Sequence, residues 1–306
     1  MKEFLKTILL ILTILLIINI ALDCVFSSLF RHSQSEPYKE WNCIINDSID
    51  ADLLVMGNSR AWAQYDPHIL DSILCVNSYN IGLNGNDVRR QIVKYKVYRH
   101  YQRKKPTFLI FNIDYWGNFT EASYQFKQFF PYITNSYMRR FMLQDHLVYK
   151  LFLYIPMARY YYHGLYSMLD ELKNKDDTYT GYKAHALKWD GTEFAKLDGL
   201  EFSPNQDLVD VFDNFMKELK EEDIKVILVS SPIYKGVTEI TVNLSEFYDF
   251  RQQFSEKYNV PILDYINDSI WNDTAYFYNA THLNKTGAEL FTTKLCHDLA
   301  SLGLLK

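Results

Sequence analysis

Three short segments carry residue types that could do chemistry together. Gly57-Asn58-Ser59-Arg60 follows the apolar run 52–56, so the Ser59 hydroxyl falls between a buried strand and a helix start. A helix start exposes N–H groups and the positive end of the dipole, which favour negative charge developing nearby. Asn279-Ala280-Thr281-His282 stands just before the last helical stretch. An imidazole there can take the serine proton during attack and return it to the leaving group. Asn80-Ile81-Gly82-Leu83-Asn84-Gly85 is the third segment, and its glycines let backbone approach a ligand. The Gly82 N–H could then join the Ser59 N–H in an oxyanion hole. Each segment alone is ordinary turn or cap chemistry. What raises them above that is their common position after predicted strands.

The elements that must position them alternate. Asp52–Met56, 76–82, Thr107–Ile113, 224–230 and 260–264 read as short apolar strands. Helices are expected from Asp66-Pro67 (a cap followed by proline in the first turn), from Asp87 to about Gln102, and over 207–221, 243–257 and 285–301. This order predicts a three-layer α/β/α sandwich with a mostly parallel sheet, of flavodoxin-like type, with ligand-binding loops at one sheet edge. Residues of about 115–205 break the alternation and read as a partly helical insertion within a domain of 51–306.

Residues 7–22 carry no charge, and Asp23 is the only charged residue between Lys6 and Arg31. The roughly 20 residues needed for a bilayer core are available from about Leu5 to Phe26. Lys2 and Lys6 place the N-terminus inside. With no A-x-A cleavage pattern, residues 1–30 read as an uncleaved single-pass anchor in the cytoplasmic membrane. A polar connector, 31–50, leads to an extracytoplasmic domain.

The net charge of −5 argues against a nucleic-acid partner. Cys24, Cys43, Cys75 and Cys296 have no CxxC spacing, so no zinc motif is present. The 24 Tyr and 20 Phe, many within 115–182, suit either a sugar or membrane surface or an aromatic core under the insertion.

Taken together and in this order, the three segments resemble the SGNH/GDSL hydrolase superfamily. GNSR is similar to its first block, the Gly82 turn to its second, and N-x-x-H to its final D-x-x-H. More closely, GNSRAWAQYDPHILDS, YNIGLNG and THLNKTGAELF resemble membrane-anchored SGNH-like proteins of bacterial polysaccharide acylation, related to the accessory protein of teichoic-acid D-alanylation. The likeness spans roughly residues 50–114 and 205–300. It implies a Ser59 nucleophile, a His282 base and no cofactor or metal. It also implies an esterase or O-acyltransferase (O-acetylation, for example) acting on a cell-surface polysaccharide or other acylated glycan, beside a multi-spanning membrane O-acyltransferase.

Two departures bear on activity. Asn279 stands where the family has Asp, so it either orients His282 without supplying charge or yields that role to another acid such as Asp273. The G-x-N-D block, which lends an Asn side chain to the oxyanion hole, is missing; Asn112 is the best positional match, with Asp114 a rival. The alternative to an enzyme is a non-catalytic accessory or glycan-binding protein on the same fold.

Overall fold

In the computed structural model, the apolar runs become strands β1 (Leu53–Met56), β2 (Ser78–Asn80), β3 (Phe108–Asn112), β4 (Lys225–Ser230) and β5 (Ile262–Asp264). The structure describes residues 1–115, 117–122, 126–144, 147–162, 164–173, 180–191 and 199–305. The chain divides into two compact units, one of residues 49–124 and 178–306 and the other of residues 1–48 and 125–177.

The first unit is an α/β sandwich. Its five strands pair in parallel in the order β2-β1-β3-β4-β5, with Leu53 beside Ser78 on one side and Phe108 on the other. Continuous apolar strands are what a parallel sheet demands, because helices cover both faces. All four residues of β1 are buried, as are the last five of β4. Helix Pro67–Leu74 packs on Lys285–Ser301, while Val88–Tyr101 packs on Gln206–Glu221, which in turn packs on Leu244–Tyr258. The helix starts follow local chemistry. The carboxylate of Asp66 accepts from the His68 N–H at 2.9 Å, and that of Asp87 from the Arg90 N–H at 3.2 Å. Pro67, in the first turn, has no N–H to leave unpaired.

The strand order reverses direction between β1 and β3: β2 lies on one side of β1, and the chain then crosses to the other. Such a switch point leaves a crevice beyond the strand C-termini. Ser59 follows β1 and Asp114 follows β3, so both stand at its rim.

The second unit is helical. Its first element, Lys2–Arg31, is long and apolar enough to cross a membrane, with a mean hydropathy of 2.8 over its most apolar window. The stretch 31–50, expected as a connector, holds helix Tyr38–Ile45, whose Tyr38, Trp41 and Ile44 are wholly buried. Trp41 Nε1 donates to Gln128 Oε1 at 2.9 Å, and Tyr132 Oη donates to Asn42 Oδ1 at 2.8 Å. Residues of about 115–205, expected as a single insertion, are shared between the units. Helices Ser136–Gln144, Leu147–Tyr154, Ala158–Tyr162 and Leu165–Glu171 belong here, whereas residues 180–191 and 199–205 belong with the sheet. Asp23, which looked isolated in an apolar run, pairs with Arg159 at 2.5 Å. All four cysteines are free.

Candidate active site

Gly57 follows β1 at φ +152°, outside the range most side chains tolerate. A Cβ there would lie 2.8 Å from Ala61 Cβ and 2.9 Å from Asn112 Cβ, so the turn into Ser59 needs glycine. Gly57→Ala is therefore expected to lower unfolding stability by about 1–3 kcal/mol through backbone strain and overpacking. The urea midpoint reads this out, and an unchanged midpoint would show that the turn relaxes freely. Asn58 then caps helix Ser59–Gln64, its Oδ1 accepting from the Arg60 N–H at 3.0 Å.

His282 comes from the other end of the chain. Strands β6 (Phe277–Asn279) and β7 (His282–Leu283) form an antiparallel hairpin in which Asn279 and His282 are direct partners. That is why the N-x-x-H spacing brings two side chains together: the two intervening residues only close the turn. Asn284 holds the hairpin to the last helix, accepting from the Gly287 N–H at 3.0 Å and donating to the Ala275 carbonyl at 2.7 Å.

Ser59 Oγ and His282 Nε2 lie 2.7 Å apart, and His282 Nδ1 lies 3.0 Å from Asn279 Oδ1. An amide oxygen only accepts, so Nδ1 carries the proton and Nε2 presents its lone pair to the serine hydroxyl. This is the tautomer a general base needs. Thr281 Oγ1, 2.9 Å from Nδ1, adds a second partner on that side. Asp273 is not brought to the imidazole. It is exposed, and its carboxylate caps a short helix by accepting from the Ala275 N–H at 2.8 Å.

Burial pushes the His282 imidazole down to about 3, and the positive charge of Arg60 and the nearby His185 push in the same direction. The ring is thus neutral at physiological pH. Tyr278 stacks against it at a ring-centroid distance of 5.3 Å, and His185 in turn stacks with Tyr278 at 4.0 Å. Burial holds the Tyr278 phenol well above its ordinary value, so it too stays neutral. The Lys285 N–H donates to the His185 carbonyl at 2.7 Å, which fixes this segment over the hairpin.

The oxyanion donors expected from sequence are arranged differently. The Gly82 N–H donates to Asn80 Oδ1 at 2.9 Å, an Asx-type turn that occupies it. Asn112 is completely buried; its Oδ1 accepts from the Tyr65 hydroxyl at 2.7 Å and its Nδ2 donates to Asp114 at 3.4 Å. Neither residue lines the cleft. Of the three expected donors, only Ser59 does, in a cleft of about 210 Å³ formed with Asn58, Arg60, Asp114, Gly117, Ile233, Thr281 and His282.

Asp114 is the hub that sequence reasoning placed only as a rival to Asn112. Its Oδ2 accepts from Asn58 Nδ2 at 2.5 Å and from Arg60 Nε at 3.2 Å, with Arg60 Nη2 at 3.1 Å; Oδ1 accepts from the Gly117 N–H at 2.8 Å. Arg60 is 4% exposed and Asp114 1%. This buried ion pair beside Ser59 fixes the loops after β1 and β3 against each other. The one available signal was an arginine directly after the serine and an acid directly after a neighbouring strand. Among the described residues, no three His, Cys, Asp or Glu side chains converge as metal ligands would.

No protein-family model and no curated protein matches the chain. Solved structures do resemble it. A protein described as lipolytic and of the G-D-S-L family, from Desulfitobacterium hafniense, is 10% identical, with 81% of this chain and 99% of that one covered and a TM-score of 0.41. A protein described as an acylhydrolase, from Bacteroides fragilis, is 12% identical, with 88% and 97% covered and a TM-score of 0.39. An acetyl xylan esterase from the rumen bacterium Butyrivibrio proteoclasticus is 11% identical, with 83% and 65% covered and a TM-score of 0.36.

Proposed function

We propose that this chain is a serine acyl-ester hydrolase or O-acyltransferase of SGNH type, held in the cytoplasmic membrane by residues 1–30 and acting outside the cell on an acylated surface glycan. The observation that carries the chemistry is the 2.7 Å approach of Ser59 Oγ to the unprotonated Nε2 of His282, in a cleft open to a small acyl group. Ser59 Oγ attacks the ester carbonyl as Nε2 takes its proton. The alcohol leaves with that proton, giving an acyl-serine. Water in the esterase, or a sugar hydroxyl in the transferase, then attacks with His282 again as base. Asn279 orients the ring without stabilising its cation. The anchor reading rests on the apolar length of helix Lys2–Arg31 and on Lys2 and Lys6 before it. A multi-spanning O-acyltransferase as supplier of the acyl group remains part of the proposal.

A fluorophosphonate probe tests the serine. Wild-type protein should be labelled at one site, while Ser59→Ala should take up none and hydrolyse acetyl esters no faster than buffer. Equal labelling or equal turnover in the two proteins would end the serine mechanism. The second reading, a non-catalytic glycan-binding protein, is favoured by the neutral Asn279, by the Gly82 N–H being given to Asn80 and by the Asn112 Nδ2 being given to Asp114. It requires wild type to be unlabelled and inert while still retained by acylated polysaccharide.

A further inference from the structure

Residues 151–162 and 164–166 present an apolar surface where a soluble protein would present charge. Leu151, Tyr154, Ile155, Tyr161, Tyr162 and Tyr166 are between 48% and 78% exposed. The same stretch buries Phe152, Met157 and Tyr160 on its other side, so its apolar character is not used up by the core. Large apolar side chains exposed so densely along one short stretch mark an interaction site.

Its position along the N-terminal helix says what covers it. Tyr161 Oη donates to Asn19 Oδ1 at 3.4 Å, the Met157 N–H to Asp23 Oδ1 at 2.7 Å, and Tyr160 Oη lies 2.8 Å from Ser27 Oγ. Residues 157–161 therefore stand beside residues 19–27, a rise of roughly 12 Å at 1.5 Å per residue. A membrane core of roughly 20 residues counted from Leu5 ends within that interval. At the same height the helix still exposes Ile20 and Val25. Asp23, costly at such depth if alone, is neutralised by Arg159. Tyrosine, with an apolar ring and a polar tip, is the side chain enriched at this level of a bilayer. Arg139 is exposed and shares a cleft of about 210 Å³ with Ile20, Tyr154 and Ile155, which suits a cation reaching lipid phosphates over an apolar floor.

We infer that the face formed by residues 151–162 and 164–166 lies in the headgroup and upper acyl region of the outer leaflet, so that its partner is the lipid surface itself. This rests on the anchor reading above. The helical unit then sits at a fixed height in the membrane surface.

Nitroxide labels on the full-length protein test this, in vesicles of phosphatidylcholine and phosphatidylglycerol. Cys24, Cys43 and Cys75 are replaced by Ser and Cys296 by Ala. Single labels are then placed through Leu10→Cys for the anchor, Tyr154→Cys and Tyr162→Cys for the face, and Glu221→Cys for water. Labels at 10, 154 and 162 should be relaxed by dissolved oxygen several-fold more, relative to a water-soluble nickel chelate, than the label at 221, with 154 and 162 shallower than 10. A lipid-exposed label at 10 with 154 and 162 as open to nickel as 221 overturns the inference and leaves the anchor standing. A water-exposed label at 10 overturns both. Labels at 154 and 162 shielded from both reagents would mean a second protein copy covers the face, which also overturns it.

Discussion

Asn279→Asp should raise acyl-ester turnover by about tenfold or more, with Ser59→Ala inactive in either background. Asn279 Oδ1 receives the Thr281 N–H at 3.0 Å, the His282 N–H at 2.9 Å, Thr281 Oγ1 at 3.2 Å and His282 Nδ1 at 3.0 Å. Four donors converge on one oxygen, a setting that suits a carboxylate better than an amide. Among the described residues the Asn279 Nδ2 makes no hydrogen bond, so exchanging it for oxygen breaks none. The carboxylate would stabilise the imidazolium formed as Ser59 attacks; in a well-studied protease the reverse change costs on the order of ten-thousand-fold.

The same variant changes the pH profile. His282 is held at about 3, so wild-type kcat/KM should be flat through roughly pH 5–8 and lose its acid limb only well below that. The new carboxylate favours the charged ring, so the acid limb of the Asp variant should move to higher pH. Stability follows with a definite sign. A cationic group whose folded value is depressed leaves the unfolded chain to bind the proton first, so its contribution is intact above about 6.5 and is lost as pH falls towards 3. The Asp variant should lose less in that window. Unchanged turnover and an unmoved acid limb together would mean that Asn279 does not govern the base.

Asp114→Ala should be the most damaging single change to stability, at about 3–5 kcal/mol by urea unfolding, because it strands the buried Arg60 guanidinium. It also frees Asn58 Nδ2 and the Gly117 N–H from the carboxylate they share. Pairing it with Arg60→Met removes the stranded charge, so the double variant should be more stable than Asp114→Ala alone. A single variant within about 0.5 kcal/mol of wild type would show that water reaches Arg60 and that the pair is not structural.

What was legible in the sequence followed from local or one-dimensional physics. β1, β3 and β4 announced themselves because a strand covered on both faces needs an unbroken apolar run, and LLVM, FLIF and VILV are such runs. Asp66 and Asp87 were readable as caps because capping is settled within three or four residues. The approach of Ser59 to His282 followed once both were placed on loops at one sheet edge. The oxyanion donors were not readable in the same way. Whether the Gly82 N–H is free depends on which way the Asn80 side chain turns, and pattern does not encode that. Asp114 collects partners from residues 58, 60 and 117, a convergence visible only in three dimensions. Likewise, the stretch around 115–205 read as one insertion, yet its middle packs with the N-terminal helix and its end returns to the sheet. Aromatic content alone does not say which neighbour a segment will choose.

The distance along the chain between the nucleophile and its base sets a schedule for the newborn protein. Ser59 and His282 are separated by 223 positions, and the hairpin carrying His282 is secured by the last helix of all. At about 5–20 residues per second of synthesis, Ser59 is made roughly 10–45 s before the histidine that can deprotonate it. During that interval the serine is an ordinary alcohol. Under the serine mechanism proposed above, the nascent chain would pass the lipids and esters it meets without attacking them, its reactivity switching on only once the helix after His282 has been made and has docked.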